Sequence, residues 1–98
     1  MSQRDRIRMT DAEIDAFLDA PRVMNVATIG ADERPHLVAM WYSTAPDGRL
    51  AFTTYRSSQK VVNLRRRPVL TAMVEAGERY EELRGVQLKC DVELSDDP

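Results

Sequence analysis

Ile14, Phe17 and Leu18 are the first apolar residues to fall into register, at a spacing that puts all three on one face of a helix. Thr10, Asp11, Ala12 and Glu13 precede them as a capping box: the Thr10 hydroxyl caps the first free N–H groups and Glu13 reaches back. This predicts a short amphipathic helix over about Asp11 to Leu18, ended before Pro21. The texture then turns extended, with Val23 to Ile29, a turn through Ala31 to Pro35, and a second strand from His36 to Ser43. Pro46, Asp47 and Gly48 make the next turn and lead into Leu50 to Tyr55; Asp47 with Gly48 is the strongest hairpin signal in the chain. The three strands predict a meander.

Ser57 and Ser58 then offer the start of a second short helix, with Val61 and Leu64 as its apolar stripe and Pro68 as its stop. A fourth strand follows over Val69 to Glu75, Gly77 marks a turn, and Glu78 to Arg84 is a charged loop or helical turn. From Val86 the alternation is strict. Val86, Leu88, Cys90, Val92 and Leu94 point one way and Gln87, Lys89, Asp91 and Glu93 the other, as in a strand with one wet face.

The second strand behaves differently. His36, Val38, Met40 and Tyr42 share one face while Leu37, Ala39, Trp41 and Ser43 share the other, so apolar bulk lies on both. A chain of 98 residues buries only a modest share of its surface, and such a strand needs a cover on its outer side, a second subunit or a flat ligand.

Composition narrows the function. A net charge of −2 and a pI near 5.4 speak against a nucleic-acid or anionic-membrane binder, which needs a basic surface. Cys90 is the single cysteine and His36 the single histidine, so a disulfide within the chain and a zinc site of Cys and His are excluded. No signal peptide or membrane span stands out, and a reducing cytoplasm is the expected compartment. One domain over residues 1–98 is expected.

Thr53 to Lys60 is the most informative stretch. Hydroxyls, two cations and the unpaired N–H groups of a helix start converge there, an arrangement suited to phosphate. The plainer reading has Ser57 or Ser58 only capping the helix, with Arg56 and Lys60 in water. Trp41 and Tyr42 are placed to stack on a planar ring, although aromatics on an apolar strand more often belong to the core. Cys90 is expected to pack inward, His36 to be exposed or half-buried, and Arg65, Arg66 and Arg67 to form a solvated cationic helix end. No nucleophile has an evident base, so no catalytic side chain is nominated, and chemistry would come from a cofactor.

Taken together, the capped first helix, "RPHLVAMWY", "FTTYRSSQK" and "LRGVQLKC" resemble the pyridoxamine 5'-phosphate oxidase-like superfamily. The likeness is greatest to its branch that uses the deazaflavin coenzyme F420. It implies a mainly β fold, a Greek-key split β-barrel of the FMN-binding type with short helices, assembled as a homodimer with a cofactor in each groove between subunits. It further implies that Val38, Ala39, Met40 and Trp41 form the strand whose backbone lines the ring, that Thr53 and Thr54 meet the phosphate-bearing arm, and that Ser58 and Lys60 clamp the phosphate, with Arg56 and Ser57 as extensions. The activity implied is hydride transfer between F420 or FMN and a small organic acceptor. The alternatives are a flavin, deazaflavin or haem carrier without turnover and a cofactor-free dimerising domain. Glu33 stands where the family commonly has Gly, which predicts a looser first hairpin. Relatives usually run on past Pro98, so a C-terminally shortened barrel is expected.

Overall fold

The computed structural model describes residues 9–95; the charged N-terminal stretch before Met9 and the final Asp96 to Pro98 lie outside them. Helix α1 (Asp11–Asp19) begins on the expected capping box. Thr10 Oγ1 accepts from the Glu13 amide at 3.1 Å, and Glu13 Oε1 accepts from the Thr10 amide at 3.1 Å. Ile14, Phe17 and Leu18 face the core.

Strands β1 (Val23–Ile29) and β2 (Pro35–Trp41) form an antiparallel hairpin in which Val26 sits opposite Val38. The first correction concerns β2. It ends at Trp41 rather than Ser43, because its partner β1 begins at Val23, just beyond Pro21, which has no N–H to offer a ladder. Past Tyr42 the chain changes partners: β3 (Ser43–Thr44) pairs with β4 (Leu50–Ala51) in a separate two-stranded sheet. The expected three-stranded meander is thus split. The strand expected over Leu50 to Tyr55 stops at Ala51, since no strand among the described residues pairs with residues 52–55.

Helix α2 (Gln59–Arg66) leads into β5 (Val69–Ala76), which returns to lie beside β1 and pairs on its other edge with β6 (Arg84–Asp91). The main sheet therefore runs β2-β1-β5-β6. A short 3-10 turn, Tyr80–Glu82, occupies the charged loop. Strand β6 ends before Leu94, which is exposed, although the inward set of Val86, Leu88 and Cys90 stands as expected.

One face of the sheet carries the core. Met24, Val26, Leu70, Ala72, Val74 and Val86 pack with Phe17 of α1 and Leu64 of α2, while Val38, Met40 and Tyr42 lean on the same cluster. Tyr42 also donates from its hydroxyl to the Leu18 carbonyl at 2.8 Å, which pins α1 at the point where the chain changes sheets.

The first hairpin corrects another expectation. It is closed by Gly30 N–H to the Arg34 carbonyl and Glu33 N–H to the Gly30 carbonyl, both 2.9 Å, so it is not loose. Glu33 takes the left-handed φ of +67° that Gly would adopt freely, and its carboxylate meets Arg67 at 3.0 Å. Arg66 donates to the Ile29 carbonyl at 2.6 Å. The end of α2 is therefore a clasp on this hairpin, where a purely solvated helix end was expected.

Candidate functional site

The stretch 52–58 descends from β4 to α2 without a strand partner among the described residues, and hydrogen bonds link several of its polar groups to one another and to the start of α2. Ser58 is the N-cap of α2, with extended φ and ψ, and its Oγ accepts from the Val61 amide at a long 3.4 Å. Thr54 Oγ1 and Ser58 Oγ lie 3.3 Å apart and share a hydrogen bond. The Ser58 amide donates to the Tyr55 carbonyl at 3.1 Å, which closes the turn through Arg56 and Ser57.

This N-terminus is electropositive by construction. The first turn of α2 holds no acidic residue, unlike α1, whose first turn carries Asp11 and Glu13. Lys60 sits in that turn, half-buried, with no ion-pair partner among the described residues. Thr53, Arg56 and Ser57 are exposed, and Thr54 and Ser58 are half-buried. A hydroxyl pair, a weakly used cap and an unpaired ammonium make a donor set that fits an anion such as phosphate.

The other half of the expected site divides between the two faces of β2. Val38 and Met40 lean inward on the core, whereas Ala39 and Trp41 lie on the outer face, with Trp41 70% and Leu37 67% exposed. The general expectation that Trp41 belongs to the core is overturned, while Tyr42 is half-buried and bonded. The outer face continues through Val23, Met73 and Val69, also exposed. A shallow groove of about 500 Å³ crosses it between Ala27, Ile29, Pro35, Val69, Thr71 and Lys89. A wider groove of about 1510 Å³ lies between α1 and β6, where Arg22 and Arg84 both stack on the Phe17 ring. Neither groove is lined by residues of the 53–60 stretch.

Two buried polar residues escaped sequence reasoning. Thr28 and Asn63 are fully buried, and Asn63 Nδ2 donates to Thr28 Oγ1 at 3.0 Å. The available signal was an Asn set between Val61 and Leu64, and a Thr continuing the inward alternation of Met24 and Val26. His36 faces Thr28 across the hairpin, half-buried as expected, with its Nδ1 buried and unbonded. Cys90 packs inward as expected, and burial raises its thiol pKa. Among the described residues no cluster of His, Cys, Asp or Glu is arranged for a metal, and no helix is long and apolar enough to cross a membrane.

Comparison with known proteins follows the same lines. A conserved hypothetical protein from Mycobacterium tuberculosis, solved by crystallography, superposes with a TM-score of 0.90 at 43% identity over 100% of this chain. A structure described as an F420 reductase superposes with a TM-score of 0.70 at 26% identity over 81% of it. The chain spans 61% and 60% of those two proteins respectively. Among curated proteins none matches. Residues 10–98 match the pyridoxamine 5'-phosphate oxidase family. The capped helices, the antiparallel sheet that hands over to a second at Tyr42, and this match over almost the whole sequence make the chain a mainly β split-barrel member of the pyridoxamine 5'-phosphate oxidase family.

Proposed function

We propose that the protein is an oxidoreductase that holds a phosphorylated flavin-type coenzyme, F420 or FMN, in a homodimer and passes a hydride between it and a small organic acceptor. The observation that carries this reading is the N-terminal turn of α2: a first turn without acid, a half-buried Lys60 with no ion pair among the described residues, and adjoining Thr54 and Ser58 hydroxyls. Lys60 and Ser58 would neutralise and orient the phosphate, with Thr53, Thr54, Arg56 and Ser57 around them. The backbone of β2 from Val38 through Ala39 and Met40 to Trp41 would line the ring, since the side chains of these four residues divide between the core face and the outer face. The coenzyme, when bound, supplies the hydride chemistry.

F420 is preferred because the structure described as an F420 reductase is similar over 81% of the chain. The homodimer is supported by the exposed apolar outer face, with Leu37 and Trp41 on its β2 edge strand.

Fluorescence titration of F420 and FMN into the protein tests the reading. Binding of one ring is expected at micromolar concentration, weakened about tenfold or more in Lys60→Ala, which removes a charge-assisted contact. Oxidation of reduced F420 by a nitro or unsaturated acceptor is the expected activity. Binding without turnover would assign a carrier, and failure to bind either ring would overturn the proposal.

A further inference from the structure

Helix α2 has eight residues, too few to hold a position by helix propensity alone, so its pose is set by what it packs against. Two apolar side chains, Val61 and Leu64, bury it against the sheet. Apolar contact is non-directional and resists rotation about the helix axis only weakly. Yet rotation is what the anion site cannot tolerate: a slip of one residue turns the helix by about 100° and would carry Lys60 off its face.

A directional contact is present. Asn63 Nδ2 donates to Thr28 Oγ1 at 3.0 Å near the end of β1, and both residues are 0% exposed. On its other side Asn63 Oδ1 accepts from Gln59 Nε2 at 2.8 Å. Asn63 lies three residues beyond Lys60 and four beyond Gln59, so both first-turn side chains are its neighbours on the helix surface. Turning α2 would strand a buried amide and a buried hydroxyl, each at about 1–3 kcal/mol, a larger penalty than sliding apolar contacts impose.

We infer that the hydrogen-bonded chain Thr28–Asn63–Gln59, buried at Thr28 and Asn63, is the positioning element that fixes the rotation of α2 and thereby aims Lys60 and Ser58 at the phosphate. The inference rests on the reading of α2 proposed above, but the two fail differently. Asn63 is a positioning residue, since it acts through Lys60 rather than on the ligand.

The test is a double-mutant cycle read by coenzyme titration and thermal melting, using wild type, Lys60→Ala, the paired substitution Thr28→Val with Asn63→Leu, and all three together. Replacing both partners of a buried hydrogen bond by apolar side chains of similar shape leaves nothing unsatisfied, so the paired variant is expected to fold. It should bind the coenzyme about five- to tenfold more weakly, and adding Lys60→Ala to it should weaken binding by no more than about twofold further. That loss of coupling is the readout a merely structural role would not move. Gln59→Ala leaves the buried pair intact, and should weaken binding about two- to fivefold at an unchanged melting temperature, whether or not the paired variant folds. Wild-type affinity in both the paired variant and Gln59→Ala, or fully additive losses, would overturn the inference while leaving the Lys60 site standing. Absence of wild-type binding would overturn both.

Discussion

Glu33 illustrates how a single side chain settles a backbone conflict. Its φ of +67° places the Cβ in the left-handed region, which costs an L-residue about 1–2 kcal/mol. The compensation is the Arg67 pair, whose partners are both largely exposed and therefore contribute at most about 1 kcal/mol. Glu33→Gly removes strain and pair together, and also loosens the unfolded chain. It is expected to be neutral or stabilising by up to about 1 kcal/mol in urea unfolding. Arg67→Ala should cost less than about 1 kcal/mol. A clear loss in Glu33→Gly would mean that the clasp matters more than the backbone. Glu13 supplies a pH effect at the same scale. The Thr10 amide, and then its hydroxyl, hold its carboxyl below the ordinary value of 4.5. A depressed carboxyl contributes stability above its unfolded pKa and loses it as pH falls through the folded one, so the α1 cap should weaken below about pH 4.5. Asp47, lowered chiefly by the Arg49 amide, acts in the same direction below 3.8. Glu13→Gln keeps the acceptor without the charge, and should reduce the acid loss of melting temperature without abolishing it.

Among the elements, α1 depends on a tether as well as on its cap. The Tyr42 hydroxyl bond to the Leu18 carbonyl joins the end of this helix to the place where the second strand leaves the main sheet. Tyr42→Phe should cost about 0.5–1.5 kcal/mol and speed amide exchange in α1 while leaving β5 protected. Equal acceleration in both would show that Tyr42 acts on global stability instead. The elements legible in the sequence were those whose signals are local: the Thr10 and Ser58 caps, the stop at Pro68, the Asp47–Gly48 turn and the alternation of β6. The break at Tyr42 was not, because Trp41 is the last residue with a partner only by virtue of where β1 begins, 18 residues earlier in the chain at Val23. The polar bond between Thr28 and Asn63 spans 35 residues and has no periodic signature. Within the candidate site, Ser58 and Lys60 could be placed from the helix start alone, whereas the opposite facing of Met40 and Trp41 followed from alternation, and the exposure of Trp41 from the register.

At the scale of the whole molecule the unsolved balance is the outer sheet face. A small domain buries a limited share of its surface, and here Leu37, Trp41, Val23, Val69 and Met73 remain in contact with water on one side of a sheet whose other side is the core. Edge and face differ in consequence. An exposed apolar face favours stacking on another apolar surface, while an exposed edge favours strand addition. The proposed homodimer uses the face.

That proposal gives Trp41 a second use, because it is the single tryptophan of the chain and reports on its own surroundings. In a lone subunit it is 70% exposed and should emit like tryptophan in water. If two copies bury the outer face against each other, emission should shift to the blue as concentration rises through the micromolar range, and sedimentation should give about twice the 11.2 kDa of one chain. Leu37→Glu leaves the reporter in place and forces a charge into the apolar contact, where it is desolvated without a partner. It should weaken association by at least about tenfold and hold the emission red. The coenzyme separates the two covers that this face admits. A blue shift that needs F420 or FMN, at a constant single-chain mass, would show a ring seated on Trp41 and no second subunit, and would refute the dimer. A shift that follows concentration alone would assign the face to a second copy, with the coenzyme added to an interface already formed.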